Sequence, residues 1–313
     1  MKPLIPDGMK RLDPGIMHYM ALTIMSETQQ YGNIFNSIGK QIDVNGTGTV
    51  LEMPKKEEIA TIIENAVEEY RGICEPLFKL YEMESTHYTL HHTLAVTSLW
   101  VKLGLLQGFD EKRLREGALG GLVHDIGKLL VPEEILSKTG KLTKQEWDVM
   151  QQHPNYGFMI TTGYNLPNGS IDMMLKHHEK LDGSGYPMKL SGKDIPYDVQ
   201  MLSFADSVDA MTSPGRPYQV ARNIEDTLYS ILTDARKDIP MAEVHPESAT
   251  AYIKNIEYPL VLSLPRFGEN LAVIDTADCK LNPVIFALAY QLSTPSLRSP
   301  FVSLDAINTR RAA

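Results

Sequence analysis

Apolar residues recur with the period of an α-helix over most of the chain. In the segment that begins near Pro54, KKEEIATIIENAVEEYRGICEPLFKLYEM, the apolar positions are Ile59, Ile62, Ile63, Ala66, Tyr70 and Ile73. Similar patterns predict helices at about 16–40, 88–106, 112–130, 143–163, 170–179 and 196–212. Strong strand signals are absent from residues 55–235, so the sequence predicts a mainly α fold with an all-helical body.

Segments on either side of this body carry different patterns. DVNGTGTV at 43–50 predicts a turn. It matches the start of a calcium-binding loop, but Pro54 stands where that loop needs a bidentate Glu, which excludes a calcium site. Residues 258–290 hold two short apolar runs around a glycine-containing turn and predict a small C-terminal β appendix. The tail after residue 293 is expected to be poorly ordered.

Charge and cysteine content limit the function classes. The net charge of −9 argues against polymeric nucleic acid as a partner. A small anionic ligand would need a local positive cluster, which metal ions can supply. The chain has no apolar run long enough for a transmembrane helix, no signal-peptide pattern, and too few cysteines for a disulfide framework. These features predict a cytoplasmic protein without a membrane span.

Histidines and carboxylates recur inside the apolar helical segments. The residues concerned are His91, His92, His124, Asp125, His153, His177, His178 and Asp206. Taken singly, each is readily explained as a hydrogen-bonded core residue or part of a structural ion pair. Buried imidazoles and charges must be paired or bind metals, however, and these recur in five predicted helices. One metal centre that collects them accounts for the whole set.

The ligand types indicate what chemistry such a centre performs. Imidazole nitrogens and carboxylate oxygens without thiolates suit Fe, Mn, Zn or Ni. Asp125 directly follows His124, and an Asp in that position can bridge two metal ions. Two ions about 3.5–4 Å apart clamp the attacking and leaving oxygens of a phosphodiester. Lys128 lies four residues after His124, where it can stabilise the phosphate or protonate the leaving oxygen.

Three motifs occur in the order that is typical of one family. They are HDIGKLLVPEEILSKTGKLTKQEWDVMQQHPNYG, HHEKLDGSGYP and FADSVDAMTSPGRPYQ, all within residues 85–222. Through them the chain resembles the HD-GYP phosphodiesterases, a branch of the HD hydrolase superfamily. The resemblance implies an HD-type helical bundle that hydrolyses cyclic di-GMP to pGpG, and often on to GMP, through a metal-activated hydroxide. Some members act on 3′,3′-cyclic GMP-AMP.

The resemblance also implies roles for residues by their positions in the motifs. The metal ligands would be His92 from the first helix, the pair His124 and Asp125 with Asp125 bridging, Asp206 on the first metal, and His153, His177 and His178 on the second. Lys128 would be the catalytic lysine, and Arg216 would contact a substrate phosphate. The loop Gly185-Tyr186-Pro187 would shape the substrate site and dock diguanylate cyclase partners. The cofactor would be two divalent ions, Fe or Mn.

The resemblance also suggests how the chain is organised. Residues 1–80 would form a helical, regulatory N-terminal region, and residues 81–235 the HD-GYP catalytic domain. Residues 236–292 would form a helix with the β appendix, and residues 293–313 the tail. A homodimer is a further expectation.

Several positions depart from the family pattern. Tyr88 stands four residues before His92, where members with a third metal carry Glu, so a two-metal site is expected. Gln219 ends the segment Arg216-Pro-Tyr-Gln, where the family usually has Lys or Arg, and one extra residue separates Asp206 from Arg216. Because of these changes, two alternative functions remain. The protein could be a cyclic dinucleotide receptor or partner-docking protein with weak or no hydrolysis, or a phosphodiesterase that prefers 3′,3′-cyclic GMP-AMP. The GYP loop argues against a mononucleotide hydrolase.

Two pairs of adjacent histidines need an assignment. Val96 follows His92 by four residues, as in the family pattern, so His92 rather than His91 is the expected ligand. Neighbouring residues of a helix point about 100° apart. His177 and His178 can therefore reach one metal only where their helix ends, before the tight reversal that the glycines at 183 and 185 predict.

Overall fold

The fold is described by a computed structural model of the chain. It describes residues 20–22, 42–43, 50–51, 54–83, 88–106, 108–213, 250–254, 260–262 and 271–275. The labelled helices within these residues are α1 (Lys56–Glu69), α2 (Cys74–Met83), α3 (Tyr88–Leu106), α4 (Glu111–Val123), α5 (Glu133–Leu136), α6 (Lys144–Met150), α7 (His153–Thr161), α8 (Asn168–Lys176) and α9 (Tyr197–Thr212). The strands are β1 (Ile42–Asp43), β2 (Val50–Leu51), β3 (Thr250–Lys254), β4 (Leu260–Leu262) and β5 (Leu271–Asp275).

The central helix of the bundle is α3. It packs against α1, α4 and α9, and most of its residues are buried because its sequence is apolar on nearly all sides. The buried apolar side chains of α1 to α4, α8 and α9 form one hydrophobic cluster around it. Among the described residues, no helix has the length and apolar character needed to cross a membrane.

Glycines on α4 allow α3 and α4 to approach closely. A Cβ atom at Gly117 would lie 1.8 Å from the Trp100 ring, and one at Gly121 would lie 2.7 Å from the Thr97 hydroxyl oxygen. A larger residue at either position would force the two helices apart. The close contact matters for the site because α3 carries one predicted ligand, His92, and α4 ends next to the others.

Two of the predicted helices are interrupted. The segment 112–130 forms α4, then a turn at 124–125, then a 3-10 helix at Ile126–Leu130. The segment 143–163 forms α6 and α7, which are separated at residues 151–152. Pro154 explains the second break, because proline has no N–H to donate to the carbonyl of Met150 four residues earlier.

Strands precede and follow the helical residues in the chain. β1 and β2 pair antiparallel, with Ile42 opposite Leu51, on either side of the predicted turn. The N-terminal region is therefore not purely helical, and its short β pair had no strong strand signal in the sequence. In the second sheet, β3 lies between β4 and β5, antiparallel to the first and parallel to the second. This sheet agrees with the predicted β appendix, although it begins earlier, at Thr250.

The helical core is continuous across the boundary predicted between residues 80 and 81. That boundary falls inside α2, and Ile63, Leu77 and Leu80 on one side share a core with Leu94 and Val96 on the other. The helices α1 and α2 are thus part of the same bundle as the candidate ligands. The boundaries predicted at 235 and 292, the tail, and most of the helix predicted at 16–40 lie outside the described residues, although residues 20–22 are helical.

Lys102 gives this core a predicted pH dependence. The side chain is fully buried on α3, and burial lowers the pKa of its ammonium group from 10.5 to about 7. Between pH 7 and 10 the unfolded chain binds a proton here that the folded chain does not, so folding stability rises with pH. We predict that Lys102→Met removes this rise, which amounts to at most about 1.4 kcal/mol per pH unit.

Denaturant unfolding at several pH values measures this effect. The difference in unfolding free energy between the Lys102→Met variant and the parent should fall as the pH increases from 7 to 10. Lys112→Met, at a side chain that is 80% exposed, is the matched control and should follow the parent. Parallel profiles for parent and Lys102→Met would contradict the prediction.

Candidate metal centre

The residues predicted as metal ligands come together where several helices end beside α3. Their positions are His92 on α3, His124 and Asp125 in the turn after α4, His153 at the start of α7, His177 and His178 directly after α8, and Asp206 on α9. His178 and Asp206 are partly exposed, and the others are buried. The structure thus brings the whole set into one cluster.

The ligand atoms form two groups with Asp125 between them. The groups, each with its ligand atoms within 4.8 Å of one another, are His153, His177 and His178, and His92, His124 and Asp206. Asp125 Oδ1 lies 3.4 Å from His153 Nε2, and Asp125 Oδ2 lies 3.3 Å from His124 Nε2. The two oxygens of this carboxylate therefore face different groups, as a carboxylate that bridges two cations would.

Two of the histidines are held by carbonyl oxygens at the C-terminal ends of helices. His124 Nδ1 lies 2.7 Å from the Gly121 carbonyl oxygen in the last turn of α4. His177 Nδ1 lies 2.9 Å from the Met174 carbonyl oxygen in the last turn of α8. The last carbonyls of a helix lack partners within it. Because a carbonyl oxygen only accepts, each Nδ1 carries the proton and donates it.

His153 is held in the same way, for a reason that is visible in the sequence. Its Nδ1 lies 2.9 Å from the carbonyl oxygen of Met150, the last residue of α6. A continuing helix would satisfy that carbonyl with the N–H of residue 154, which Pro154 lacks. The dipeptide His153-Pro154 therefore ends one helix and leaves the carbonyl to the imidazole.

This hydrogen bonding leaves nitrogen lone pairs facing one another. His153 Nε2 and His177 Nε2 lie 3.2 Å apart, and burial lowers the pKa of the two rings to about 4 and about 3. Both rings are neutral near pH 7 with Nδ1 protonated, so neither Nε2 can donate to the other. His124 Nε2 is also buried, without a hydrogen-bond partner in the described part of the chain. These Nε2 atoms are hydrogen-bond acceptors that face one another without a donor between them. Such an arrangement is suited to binding a cation that the imidazoles share.

A second carboxylate on α9 orients His92. Asp209 is fully buried, and its Oδ2 lies 2.5 Å from His92 Nδ1. This contact directs His92 Nε2 towards Asp206 Oδ1, 3.3 Å away. Burial lowers the pKa of His92, but the hydrogen bonds that its ring donates to the carboxylates of Asp206 and Asp209 outweigh burial and raise the pKa to about 9. Asp209 was not predicted from the sequence, although its spacing of three residues from Asp206, almost one helical turn, was an available signal.

Lys128 is hydrogen-bonded to the carboxylate between the two groups. Its Nζ atom lies 2.7 Å from Asp125 Oδ2, and its side chain is 21% exposed. Burial by itself would raise the pKa of Asp125, but Lys128 and His124 lower it well below its usual range. The ammonium group thus lies at the rim of the cluster, next to its central residue.

Gly127 allows the turn after α4 to contact α7. A Cβ atom at this position would lie 1.8 Å from the His153 carbonyl oxygen and 2.4 Å from the Gly157 backbone nitrogen. Any side chain here would push α7 away and carry His153 away from Asp125. The glycine of the HDIGK segment is therefore a requirement of the site geometry.

A buried glutamate fixes the loop that follows the adjacent histidines. Glu179 is 2% exposed, and its carboxylate accepts the backbone N–H groups of Met188 at 2.6 Å and Leu190 at 2.9 Å. These two hydrogen bonds hold the loop against the end of α8. Glu179 was not predicted as a site residue, although it directly follows His178 in the sequence.

The same loop lays Tyr186 against His178. The Tyr186 N–H donates to the His178 carbonyl oxygen at 3.2 Å, and the two ring centroids lie 4.7 Å apart. Gly185 permits this approach, because a Cβ atom there would lie 2.4 Å from the Lys180 backbone nitrogen. Burial raises the pKa of the Tyr186 hydroxyl, so the phenol is neutral at physiological pH. The predicted loop 185–187 therefore borders the ligand cluster.

Most of the remaining predicted positions lie within the described residues, but Arg216 and Gln219 do not. His177 and His178 lie in a turn after α8, and their ring centroids are 4.0 Å apart, as expected for a pair at a helix end. His91 is half-buried on α3, and Val96 lies in the core. Arg216 and Gln219 lie outside the described residues.

These observations define a helical domain whose helix ends gather two groups of metal-ligating residues around one aspartate. The family model described as HD domain matches residues 73–239, more than half of the chain. The chain belongs to the HD domain family, which confirms the family resemblance at the level of the superfamily.

Curated relatives match part of the chain. A cyclic di-GMP phosphodiesterase of Pseudomonas aeruginosa is 37% identical over 46% of this chain and 35% of its own length. A cyclic di-GMP phosphodiesterase of Thermotoga maritima is 36% identical over 56% of this chain and 47% of its own length. A 3′3′-cGAMP-specific phosphodiesterase of Vibrio cholerae is 38% identical over 38% of this chain and 23% of its own length. The chain thus spans less than half the length of each of these relatives.

A solved structure overlaps the chain more loosely. An HDG"Y"P protein of Bdellovibrio bacteriovorus superposes with a TM-score of 0.43 and 18% identity, over 70% of this chain and 77% of the other. An overlap of that quality supports no inference about the site.

Loss of the Asp209 charge should weaken metal binding. Asp209→Asn keeps the size of the side chain but makes His92 a weaker ligand, because a neutral amide holds its imidazole N–H less strongly. We expect a loss of about 10- to 100-fold in affinity for a metal ion bound at the group that contains His92, measured by elemental analysis after dialysis against graded chelator. Asp198→Asn, the same change on the same helix, is the control. Equal retention of metal by both variants would contradict the prediction.

Glu179→Gln should loosen the loop at 182–190. The substitution replaces one acceptor oxygen with an NH₂ group that faces a backbone N–H, so one buried donor loses its partner at a cost of about 1–3 kcal/mol. We expect hydrogen exchange at the Met188 or Leu190 amide to accelerate by at least about 5-fold. Glu134→Gln, at an exposed glutamate, should leave both amides unchanged. Unchanged exchange in Glu179→Gln would mean that the carboxylate does not hold the loop.

Proposed function

We propose that this chain is a metal-dependent phosphodiesterase that hydrolyses cyclic di-GMP to pGpG, GMP or both at a two-metal site. The observation that carries the proposal is Asp125, whose two oxygens face two separate groups of ligand atoms. The printed activities of the relatives support the substrate class.

The converging lone pairs and carboxylates fit two divalent metal ions, and we propose Fe or Mn. The residues that would hold them are His92, His124, Asp206, His153, His177 and His178, with Asp125 shared. Metal binding requires neutral imidazoles and ionised carboxylates, so a metal ion at His92 would displace the proton that this ring keeps up to about pH 9. Bound ions would supply an activated water as nucleophile and neutralise charge on the scissile phosphate.

Lys128 supplies positive charge and a proton beside the centre. Its ammonium group contacts Asp125 and is partly exposed, so it can reach a phosphate oxygen at the rim. There it stabilises negative charge that develops in the transition state and can protonate the leaving oxygen. Asp125 in turn holds the ammonium group in place through their 2.7 Å contact.

Other parts of the proposal concern substrate and partners. Tyr186, Gly185 and Pro187 would form one wall of the substrate site, and Arg216 would contact a phosphate. One relative is a cyclic di-GMP phosphodiesterase and another is specific for 3′3′-cGAMP. We therefore propose 3′,3′-cyclic GMP-AMP as the alternative substrate. Docking of diguanylate cyclase domains on the loop at 185–187 and a homodimer stay predictions from the sequence.

Replacement of Lys128 tests the mechanism. Protein loaded with Mn(II) or Fe(II) under reducing conditions should convert cyclic di-GMP to a linear product. Chromatography measures the amount of that product over time. Lys128→Met should lower kcat by about 100- to 10,000-fold, the range for a lost general acid, while elemental analysis finds its metal content unchanged. Lys112→Met is the control and should retain the parent rate.

Different outcomes separate the alternatives. A fully metal-loaded parent that hydrolyses neither cyclic di-GMP nor 3′,3′-cyclic GMP-AMP contradicts the proposed enzyme. Tight binding of either ligand without turnover would instead identify a receptor. Faster turnover of 3′,3′-cyclic GMP-AMP would leave the reaction class intact and correct the substrate.

A further inference from the structure

The two tryptophans of the chain have contrasting environments. Trp100 is fully buried, and its indole N–H donates to the Asp198 carbonyl oxygen at 3.0 Å. This is the usual arrangement for a tryptophan in a core. Trp147 on α6 is 46% exposed. A single exposed apolar residue is ordinary on a protein surface, so the position of Trp147 relative to the site decides whether its exposure has a function.

Trp147 belongs to a series of rings that leads outwards from the metal ligands. The Tyr186 ring lies 4.7 Å from the His178 ring and 6.5 Å from the His153 ring, between centroids. The Trp147 ring lies 6.1 Å from the Tyr186 ring at an angle of 79°. One aromatic ring therefore separates the indole from two candidate ligands, and the indole and the phenol form two nearly perpendicular surfaces.

The backbone that carries Trp147 is fixed. At the start of α6 the Thr143 hydroxyl accepts the Glu146 N–H at 3.3 Å, and the Glu146 carboxylate accepts the Thr143 N–H at 2.6 Å. The same carboxylate accepts the Lys138 ammonium group at 2.8 Å. This capping box secures the first turn. The exposed indole is thus presented from a fixed helix, as a preorganised binding surface requires.

We propose that Trp147 stacks a nucleobase of the cyclic dinucleotide, with Tyr186 as the adjoining wall, while the phosphodiester lies at the metal centre. The inference rests on the proposed function and adds a base-binding residue to it. Stacking of a base on an aromatic side chain contributes about 1–3 kcal/mol, and every base has a π face. Trp147 should therefore strengthen binding of guanine- and adenine-containing dinucleotides alike, without selecting between them.

Steady-state kinetics of metal-loaded variants test the stacking. Trp147→Ala should raise KM on the order of 5- to 100-fold for cyclic di-GMP and 3′,3′-cyclic GMP-AMP. Loss of binding that is equal in ground and transition states leaves kcat within about threefold. Trp147→Phe retains a ring and should raise KM less than Trp147→Ala does. All variants should keep the metal content of the parent.

Phe158→Ala is the matched control. Phe158 is 47% exposed and also lies on a helix beside the centre. It follows His153 by five residues on α7, so it points about 140° away around the helix axis. Phe158→Ala removes an aromatic side chain that is exposed to the same degree as that of Trp147. The KM of this variant should stay at the parent value.

Fluorescence provides a second, direct measurement. In the slow Lys128→Met background, cyclic di-GMP should quench tryptophan emission, because the base covers Trp147 while Trp100 is buried. The added Trp147→Phe change should abolish the quenching. A KM for Trp147→Ala within twofold of the parent, or quenching that survives Trp147→Phe, overturns the stacking proposal while the enzyme remains active. A parent that neither binds nor hydrolyses a dinucleotide overturns the proposed function and the stacking together.

Discussion

The candidate metal centre depends on one hydrogen bond, made three times, between a histidine Nδ1–H and a carbonyl oxygen at a helix C-terminus. His124, His153 and His177 each make it with the residue three positions earlier. The bond satisfies a carbonyl that the helix leaves unpaired, fixes the tautomer, and turns Nε2 towards the cluster. Helix C-termini also carry partial negative charge. The ends of α4, α6 and α8 therefore favour a cation at the same place as the imidazoles do.

Close helix contacts are the second requirement, because ligands from separate segments must meet within a few ångströms. Gly117 and Gly121 let α4 contact α3, and Gly127 lets the following turn contact α7. In each case a Cβ atom would overlap the neighbouring helix or one of its side chains. The glycines contribute no ligand atom, yet they set the separation between His92, His124 and His153.

The sequence was sufficient to predict the helical body and the candidate ligands, because apolar periodicity and motif spacing are local signals. Asp209 and Glu179 were not found, since each acts on another residue: one on His92 through space, the other on amides 9 and 11 positions along the chain. The boundary predicted between residues 80 and 81 falls inside α2, because periodicity identifies helices but does not say which helices pack together. The break before His153 could have been predicted from Pro154.

The adjacency of His177 and His178 links the candidate metal ligands to the loop at 182–190. His177 caps α8 through Nδ1, so the helix must end there, and the turn that follows brings His178 beside the same group. The carbonyl of His178 then accepts the Tyr186 N–H, while Glu179 holds the far side of the loop. Any movement of residues 177–179 therefore displaces a ligand and the aromatic wall together. The geometry of the candidate ligand group and the position of the Tyr186 ring depend on the same three residues.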